Sequence, residues 1–286
     1  VEGRFVVHTA SVSRDAAALV PSRISHPAAP RAKAGCPRQR VDTAGPAAAC
    51  CAPVCPPPSG CRPSHRAGDP RVKLLEVKSL AIPEIKVLRF ARFADHRGYF
   101  TEIFRRSDFL SHPDLTCFHG VDFVQANESF SRPGTVRGLH FQWNPYVGKL
   151  VRTVAGRMVD LVLDIRHGSP TCGQILAYDI PASPDRDAAE WIWVPPGFAH
   201  GNFFPGPETL IEYFCTGQYS PTTEAGISPL AHDIDWSLCD PGLRQLFLQL
   251  TTQGSALLSD KDKAGYSVAA WLADPRSAAF PYPTVP

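Results

Sequence analysis

The sequence predicts an all-β domain, a jelly-roll-like barrel or sandwich, ending in a short helical C-terminal part. Three observations carry this reading. From residue 73 onward, segments of five to nine residues carry the apolar–polar alternation and the β-branched and aromatic content of strands. Gly, Pro and Asp separate them at short intervals, as hairpin-rich sandwiches and barrels require. Helical spacing is confined to three places, residues 107–110, 241–249 and 267–272.

Taken in order, the first strand is expected at 86–90, Lys-Val-Leu-Arg-Phe. A turn over Asp95 to Gly98 leads into a second at 99–104. Further strands are expected at 123–131, 135–142, 149–155, 157–165, 174–180, 191–194, 201–204 and 209–217. The alternation is strongest over Met158-Val159-Asp160-Leu161-Val162-Leu163-Asp164-Ile165. No internal repeat is found.

Residues 1–71 differ in kind. They are rich in Ala, Pro, Arg, Ser and Cys, with few large apolar residues and no sustained period. The run Pro56-Pro57-Pro58-Ser59-Gly60 excludes regular structure, and such a segment buries too little surface to offset its ordering entropy. A disordered extension is therefore expected here, with one folded domain over 72–286. It lacks the apolar core of a secretory signal; its arginines and few acids suit a transit peptide, but its Cys and Pro content does not. Val1 as first residue and a single methionine, Met158, read as a misplaced start upstream of a domain opening near Val72.

The composition sets limits. Charged residues make up 20% and hydrophobic residues 44%, ordinary for a soluble protein, and the net charge of +2 gives no electrostatic reason to expect nucleic acid or a membrane surface as partner. No run approaches the roughly 18 apolar residues of a spanning helix. Of nine cysteines, Cys36, Cys50, Cys51, Cys55 and Cys61 lie in the extension without paired metal-ligand spacing. Cys117, Cys172, Cys215 and Cys239 fall within apolar segments and read as small buried hydrophobes. No metal is expected.

The chemistry concentrates around Arg137-Gly138-Leu139-His140, a cation and a titratable base on one strand. Lys149 follows nine residues later, and Ser259-Asp260-Lys261-Asp262 lies near the other end of the domain. A base, a carboxylate to orient it and nearby cations are what proton abstraction beside a carbonyl needs on an anionic substrate. Each residue alone has a plainer reading. His140 fits a satisfied core histidine, Asp262 a helix cap or solvated turn, Lys149 an exposed strand lysine, and Tyr213 and Tyr219 ordinary strand aromatics.

Their joint occurrence resembles the dTDP-4-dehydrorhamnose 3,5-epimerase family, cupin-type nucleotide-sugar epimerases. The likeness covers about 85–265. It runs through Asp95-His96-Arg97-Gly98-Tyr99-Phe100-Thr101-Glu102, Gln125-Ala126-Asn127-Glu128-Ser129 and Arg137-Gly138-Leu139-His140-Phe141-Gln142. It continues with Gly148-Lys149-Leu150-Val151-Arg152, Asp160 through Asp164-Ile165-Arg166 and Pro195-Pro196-Gly197-Phe198-Ala199-His200-Gly201. The pair Tyr213 and Tyr219, then Leu258-Ser259-Asp260-Lys261-Asp262, complete it.

The resemblance implies inversion at carbons flanking the C4 ketone of a nucleotide-linked 4-keto-6-deoxyhexose, without a cofactor. It assigns the base to His140, its orienting carboxylate to Asp262, the oxyanion contact to Lys149 and the opposite-face acid to Tyr213. It places Arg137 on the diphosphate, helped by Arg97, and Glu102, Gln125, Asn127 and Tyr219 along the substrate, with His200 supporting the site. The amides of Gln125 and Asn127 suit tying adjacent strands equally well. A homodimer exchanging N-terminal strands, in the cytoplasm, is expected.

Two competing readings come from the same fold. A metal-dependent cupin uses two closely spaced histidines early and one later; here Gln142 stands where the second ligand belongs, so metal ligation is not expected. A non-catalytic sugar-binding cupin would lack the base or the carboxylate, and both are present. The chain departs from the family pattern in the short His140–Lys149 separation, in 228–236, which lacks an Asp-Pro pair, and in a long 237–256. The sequence does not decide the sugar and nucleotide, nor between inversion at C3 and C5, inversion at C3 alone, and 3,4-ketoisomerisation.

Overall fold

The computed structural model describes residues 73–283. The expected extension, with its five cysteines, lies outside them. In chain order come β1 (Leu74–Ser79), β2 (Lys86–Asp95), β3 (Gly98–Thr101), the short helix α1 (Arg106–Ser111) and a 3-10 segment (Pro113–Phe118). Strands β4 (Gln125–Ser131), β5 (Val136–Gln142), β6 (Lys149–Ala155), β7 (Arg157–Asp164) and β8 (Ile175–Pro181) follow. Then come β9 (Ala188–Val194), β10 (Phe198–Phe203), β11 (Thr209–Cys215) and β12 (Glu224–Gly226). Helices α2 (Pro241–Thr252), α3 (Asp260–Lys263) and α4 (Val268–Ala273) end the fold.

The strands form two antiparallel sheets. One runs β1-β2-β9-β6-β11-β4 with β3 on β2; the other runs β12-β5-β10-β7-β8. Between them lies a core of Val87, Val151, Ile192, Val194 and Ile211 from the first sheet and Met158, Val162, Ile180 and Phe198 from the second. The outer face of the second sheet packs Val159, Leu161, Leu163 and Phe203 against Phe247, Trp271 and Phe280 of the C-terminal part. The outer face of the first is covered by Phe109, Leu115 and Phe118, which meet Leu88, Phe90, Trp191 and Trp193. Each fully buried side chain of this size contributes roughly 1.5–3 kcal/mol by its removal from water.

Strand β7 explains the strongest alternation in the sequence. Its even positions face the other sheet and its odd positions face the helical layer, so every residue after Arg157 is buried. Asp160 and Asp164 are enclosed with the apolar residues. The three C-terminal helices are capped from their own sequence: Asp240 accepts the amides of Gly242 and Leu243, Ser259 that of Asp262, and Ser267 that of Ala270.

The all-β expectation holds, with local differences. Strand β1 buries little beyond Leu74, so its period is faint, and β12 is three residues long; neither was expected as a strand. The strand expected at 99–104 stops at Thr101, α2 continues to Thr252, and β10 begins three residues early at Phe198. Cys215 and Cys239 are buried, but Cys172 is half-buried and Cys117 exposed, because the segment around Cys117 lies over a sheet instead of inside it. No helix among the described residues is long and apolar enough to cross a membrane.

Candidate active site

The space between the sheets opens into two adjoining cavities that share His140, Lys149 and Tyr213. Strand parity builds one wall from the first sheet. On β4, Gln125, Asn127 and Ser129 turn inward while their neighbours are exposed. On β11, Tyr213 lies opposite Asn127 and Val151, and Cys215 opposite Gln125 and Lys149. The second sheet supplies the facing wall: Arg137 and His140 from β5, His200 and Asn202 from β10.

Strict alternation would place Arg137 and His140 on opposite faces. The register shows why it does not: His140 pairs with His200 and Arg137 with Asn202, so Gly138 and Leu139 of β5 stand against Gly201 alone. The extra residue is a bulge, which re-aims a side chain. Gly138, inside it, has φ +109°, and a Cβ there would lie 2.6 Å from Gly201 Cα and 2.8 Å from the His200 carbonyl oxygen. Only glycine fits that close approach.

His140 Nε2 lies 2.7 Å from Asp262 Oδ1. With Nε2–H donated to the carboxylate, Nδ1 keeps the lone pair and is the basic nitrogen. Asp262 is buried on α3, where its backbone amide is capped by Ser259 Oγ at 3.1 Å. Burial works to raise its pKa, but hydrogen bonds from His140, Ser259 and the Gly138 amide hold it below the ordinary carboxylate value. Asp262 is thus not the cap of α4, whose first amides are taken by Ser267 and by the Asp233 carboxylate.

Lys149 opens β6 and reaches both cavities, so the short separation from His140 does not remove it from the site. Burial pushes its ammonium pKa down, opposed by Cys215, Asp160 and Glu224 nearby. Tyr213 is pushed up, chiefly by burial. His200 and Asp160 form a second pair, Nε2 to Oδ2 at 2.8 Å, both buried. Burial lowers the His200 pKa, so a neutral ring donates Nε2–H to the carboxylate.

The other expected residues divide into two groups. Arg137 lines the second cavity, with Nε on Ser131 Oγ and Nη2 on the Phe130 carbonyl, each at 3.0 Å. Gln125 and Asn127 line the first cavity and also tie elements together: Gln125 donates to Asn127 Oδ1 and accepts the Tyr219 amide, each at 3.0 Å. Tyr219 rims that cavity and donates its hydroxyl to Glu224 at 3.1 Å. Arg97 and Glu102 are not brought to either cavity. Arg97 sits at the β2–β3 turn, paired with Asp95 and 78% exposed, and Glu102 is held by Arg105 and Lys73.

Sequence reasoning missed Glu224, because a three-residue strand leaves no period to read. It also missed the work of Gln142, whose amide is spent on the Pro145 and Gln218 carbonyls and on the Ser220 amide. These bonds tie together two loops beside the first cavity and occupy both N–H donors of the Gln142 amide.

An imidazole and a carboxylate on one wall, with a phenol and an ammonium on the other, suit proton removal from one face of a substrate and delivery to its other face. The family model for dTDP-4-dehydrorhamnose 3,5-epimerase matches residues 79–270. The chain belongs to the dTDP-4-dehydrorhamnose 3,5-epimerase family. As a member of this family of nucleotide-sugar epimerases, it is an isomerase.

Among its relatives, a dTDP-4-dehydrorhamnose 3,5-epimerase of Sinorhizobium fredii is 38% identical over 189 residues, 65% of this chain and 86% of that protein. The Shigella flexneri enzyme of the same name is 35% identical over 67% of this chain and 94% of its own. The fold resembles that of the Legionella pneumophila dTDP-6-deoxy-D-glucose-3,5-epimerase, solved with dTDP-4-keto-L-rhamnose: TM-score 0.58, 31% identity, 73% of this chain and 99% of that one. It also resembles a 3'-monoepimerase of Streptomyces bikiniensis in complex with dTDP-quinovose, with TM-score 0.53, 25% identity, 67% of this chain and 87% of that one. The epimerase match, 79–270, takes in both walls and Asp262, and stops within α4.

Proposed function

We propose that the protein converts dTDP-4-dehydro-6-deoxyglucose to dTDP-4-dehydrorhamnose by successive inversion at C3 and C5. The observation that carries this reading is the placement of His140 and Asp262 on one wall of the site and Tyr213 and Lys149 on the other. His140 Nδ1 takes the proton α to the C4 ketone, and the electron pair of that C–H bond moves into a C=C bond as the C4 oxygen becomes an enolate. Asp262 stabilises the imidazolium so formed, the part a carboxylate plays beside a catalytic histidine. Lys149 stabilises the enolate oxygen, and its lowered pKa makes it a better donor there.

Tyr213 delivers a proton to the opposite face as the ketone re-forms. Its raised pKa keeps the phenol protonated at neutral pH and suits donation over abstraction. Solvent then takes the proton from His140 and restores that of Tyr213. The ketone already acidifies the neighbouring C–H, so side chains can supply each proton transfer without a cofactor.

Arg137 takes the diphosphate, and Gln125, Asn127 and Tyr219 line the substrate, with His200 supporting Lys149 through Asp160. Inversion at both carbons is favoured over C3 alone because the relatives at 33–38% identity are named 3,5-epimerases.

The working form we propose is a homodimer in the cytoplasm. The β2–β3 hairpin exposes the cross-strand pair Phe93 and Phe100 on one face, an apolar surface suited to burial against a second copy. Arg97 and Glu102 would then serve the partner's cavity, which accounts for their distance from their own. Proton NMR of the product from dTDP-4-dehydro-6-deoxyglucose tests the reading. Appearance of the rhamno configuration supports it, and unchanged substrate overturns it.

A further inference from the structure

Tyr219 rims the first cavity and is 58% exposed, on the loop 216–223 that joins β11 to β12 without regular secondary structure. Exposed connections of this kind are ordinarily mobile, because each residue held in one conformation costs entropy. Here three consecutive residues are held by side chains from both sheets. Gln142, on β5 of the second sheet, donates to the Gln218 carbonyl at 2.9 Å and accepts the Ser220 amide at 2.8 Å. Gln125, on β4 of the first sheet, accepts the Tyr219 amide between them at 3.0 Å. The second N–H of Gln142 goes to the Pro145 carbonyl at 3.0 Å, and the whole side chain is buried. Two carbonyls and one N–H as partners admit only one orientation of that amide. The Tyr219 hydroxyl is tied as well, to Glu224 at 3.1 Å, so the residue is fixed at both ends.

A ring already fixed at the rim removes the entropy cost of ordering it when substrate arrives. On the epimerase reading, the nucleotide base is the flat, aromatic part of the substrate, and it is the part that an exposed phenol ring can hold by stacking. Tyr219 suits that end, since it lines the first cavity and not the second, where Arg137 is assigned to the diphosphate. We propose that Gln142 is a positioning residue for substrate binding: it fixes residues 218–220 so that Tyr219 meets the nucleotide in a preset orientation. This rests on the epimerase reading above and names what sets affinity at that same site.

A double-mutant cycle tests this, read by binding of dTDP alone to the unaltered protein, Gln142→Met, Tyr219→Ala and the double variant. Gln142→Met keeps the reach of the side chain and removes all three bonds. It is expected to weaken dTDP binding about 10-fold and to raise KM for the nucleotide sugar more than it lowers kcat. In the Tyr219→Ala protein the same change should cost less than about twofold, because the ring that Gln142 positions is gone. Equal losses in the two backgrounds overturn the proposal, since they mark a role apart from Tyr219. Unchanged dTDP affinity in either single variant overturns it too. A second measurement needs no variant to fold: amide hydrogen exchange of Tyr219 and Ser220 in the free protein. Protection of both is expected despite their place in an exposed loop, and exchange as fast as in an open loop overturns the proposal. An unaltered protein that neither binds dTDP nor exchanges protons of dTDP-4-dehydro-6-deoxyglucose overturns the epimerase reading itself and this inference with it.

Discussion

Arg137 and His140 stand three residues apart on β5 and nevertheless face the same cavity, opposite Asn202 and His200, because Gly138 is the extra residue of a bulge. The site therefore depends on a residue that contributes no side chain. Gly138→Ala would set a Cβ 2.6 Å from Gly201 Cα at a φ of +109°. The variant is expected to lose about 2–4 kcal/mol of stability from backbone strain and overpacking. Its rate should fall about 100-fold as His140 is displaced. Thermal unfolding and turnover check this; a variant near the unaltered protein in both would show that the bulge does not set the site.

Asp262 meets His140 at 2.7 Å across 122 residues of chain. Replacing it with Asn should leave the ring in place but present the wrong tautomer and a destabilised imidazolium. Asp262→Asn is expected to reduce kcat about 10²–10⁴-fold with KM changed little. A larger effect on KM than on kcat would assign Asp262 to binding.

Tyr213 and His140 occupy facing walls, so removing the phenol should affect delivery of a proton more than its abstraction. Tyr213→Phe is expected to retain solvent exchange at C3 and to lose inversion at C5, read by NMR in D₂O. Unimpaired inversion at both carbons would move the acid to another group.

Lys149 and Tyr213 are displaced in opposite directions: burial lowers the lysine below its ordinary value and raises the tyrosine above its own. Rising pH therefore discharges Lys149 first. If the charged ammonium holds the enolate oxygen, kcat/KM falls as pH passes the lowered lysine pKa, while the phenol is still protonated. Lys149→Arg keeps its charge to far higher pH and should shift the alkaline limb upward, at a cost in rate of about 10²-fold. An alkaline limb that stays in place in Lys149→Arg would show that another group sets it.

Much of this was legible in the sequence because motif residues and fold agree at particular points. Lys149 and Tyr213 share the inward parity of their strands, and Asp262 follows its capping Ser259 by three residues. What was hidden depends on pairing between distant strands. The bulge at Gly138 is visible only in register with β10, and Glu224 belongs to a strand too short to have a period. Arg97 and Glu102 were read from motif membership, which carries no information about which cavity a residue reaches. Cys117 was read as buried from its apolar surroundings, but it lies in a segment covering a sheet, whose outer side is open.

The measurement that bears most directly on the account is NMR of dTDP-4-dehydro-6-deoxyglucose in D₂O with the unaltered protein and with His140→Ala. The account predicts deuterium at both C3 and C5 with the unaltered protein and none at either carbon with the variant. Exchange that survives in His140→Ala at a comparable rate would contradict it, because some other group would then be the base.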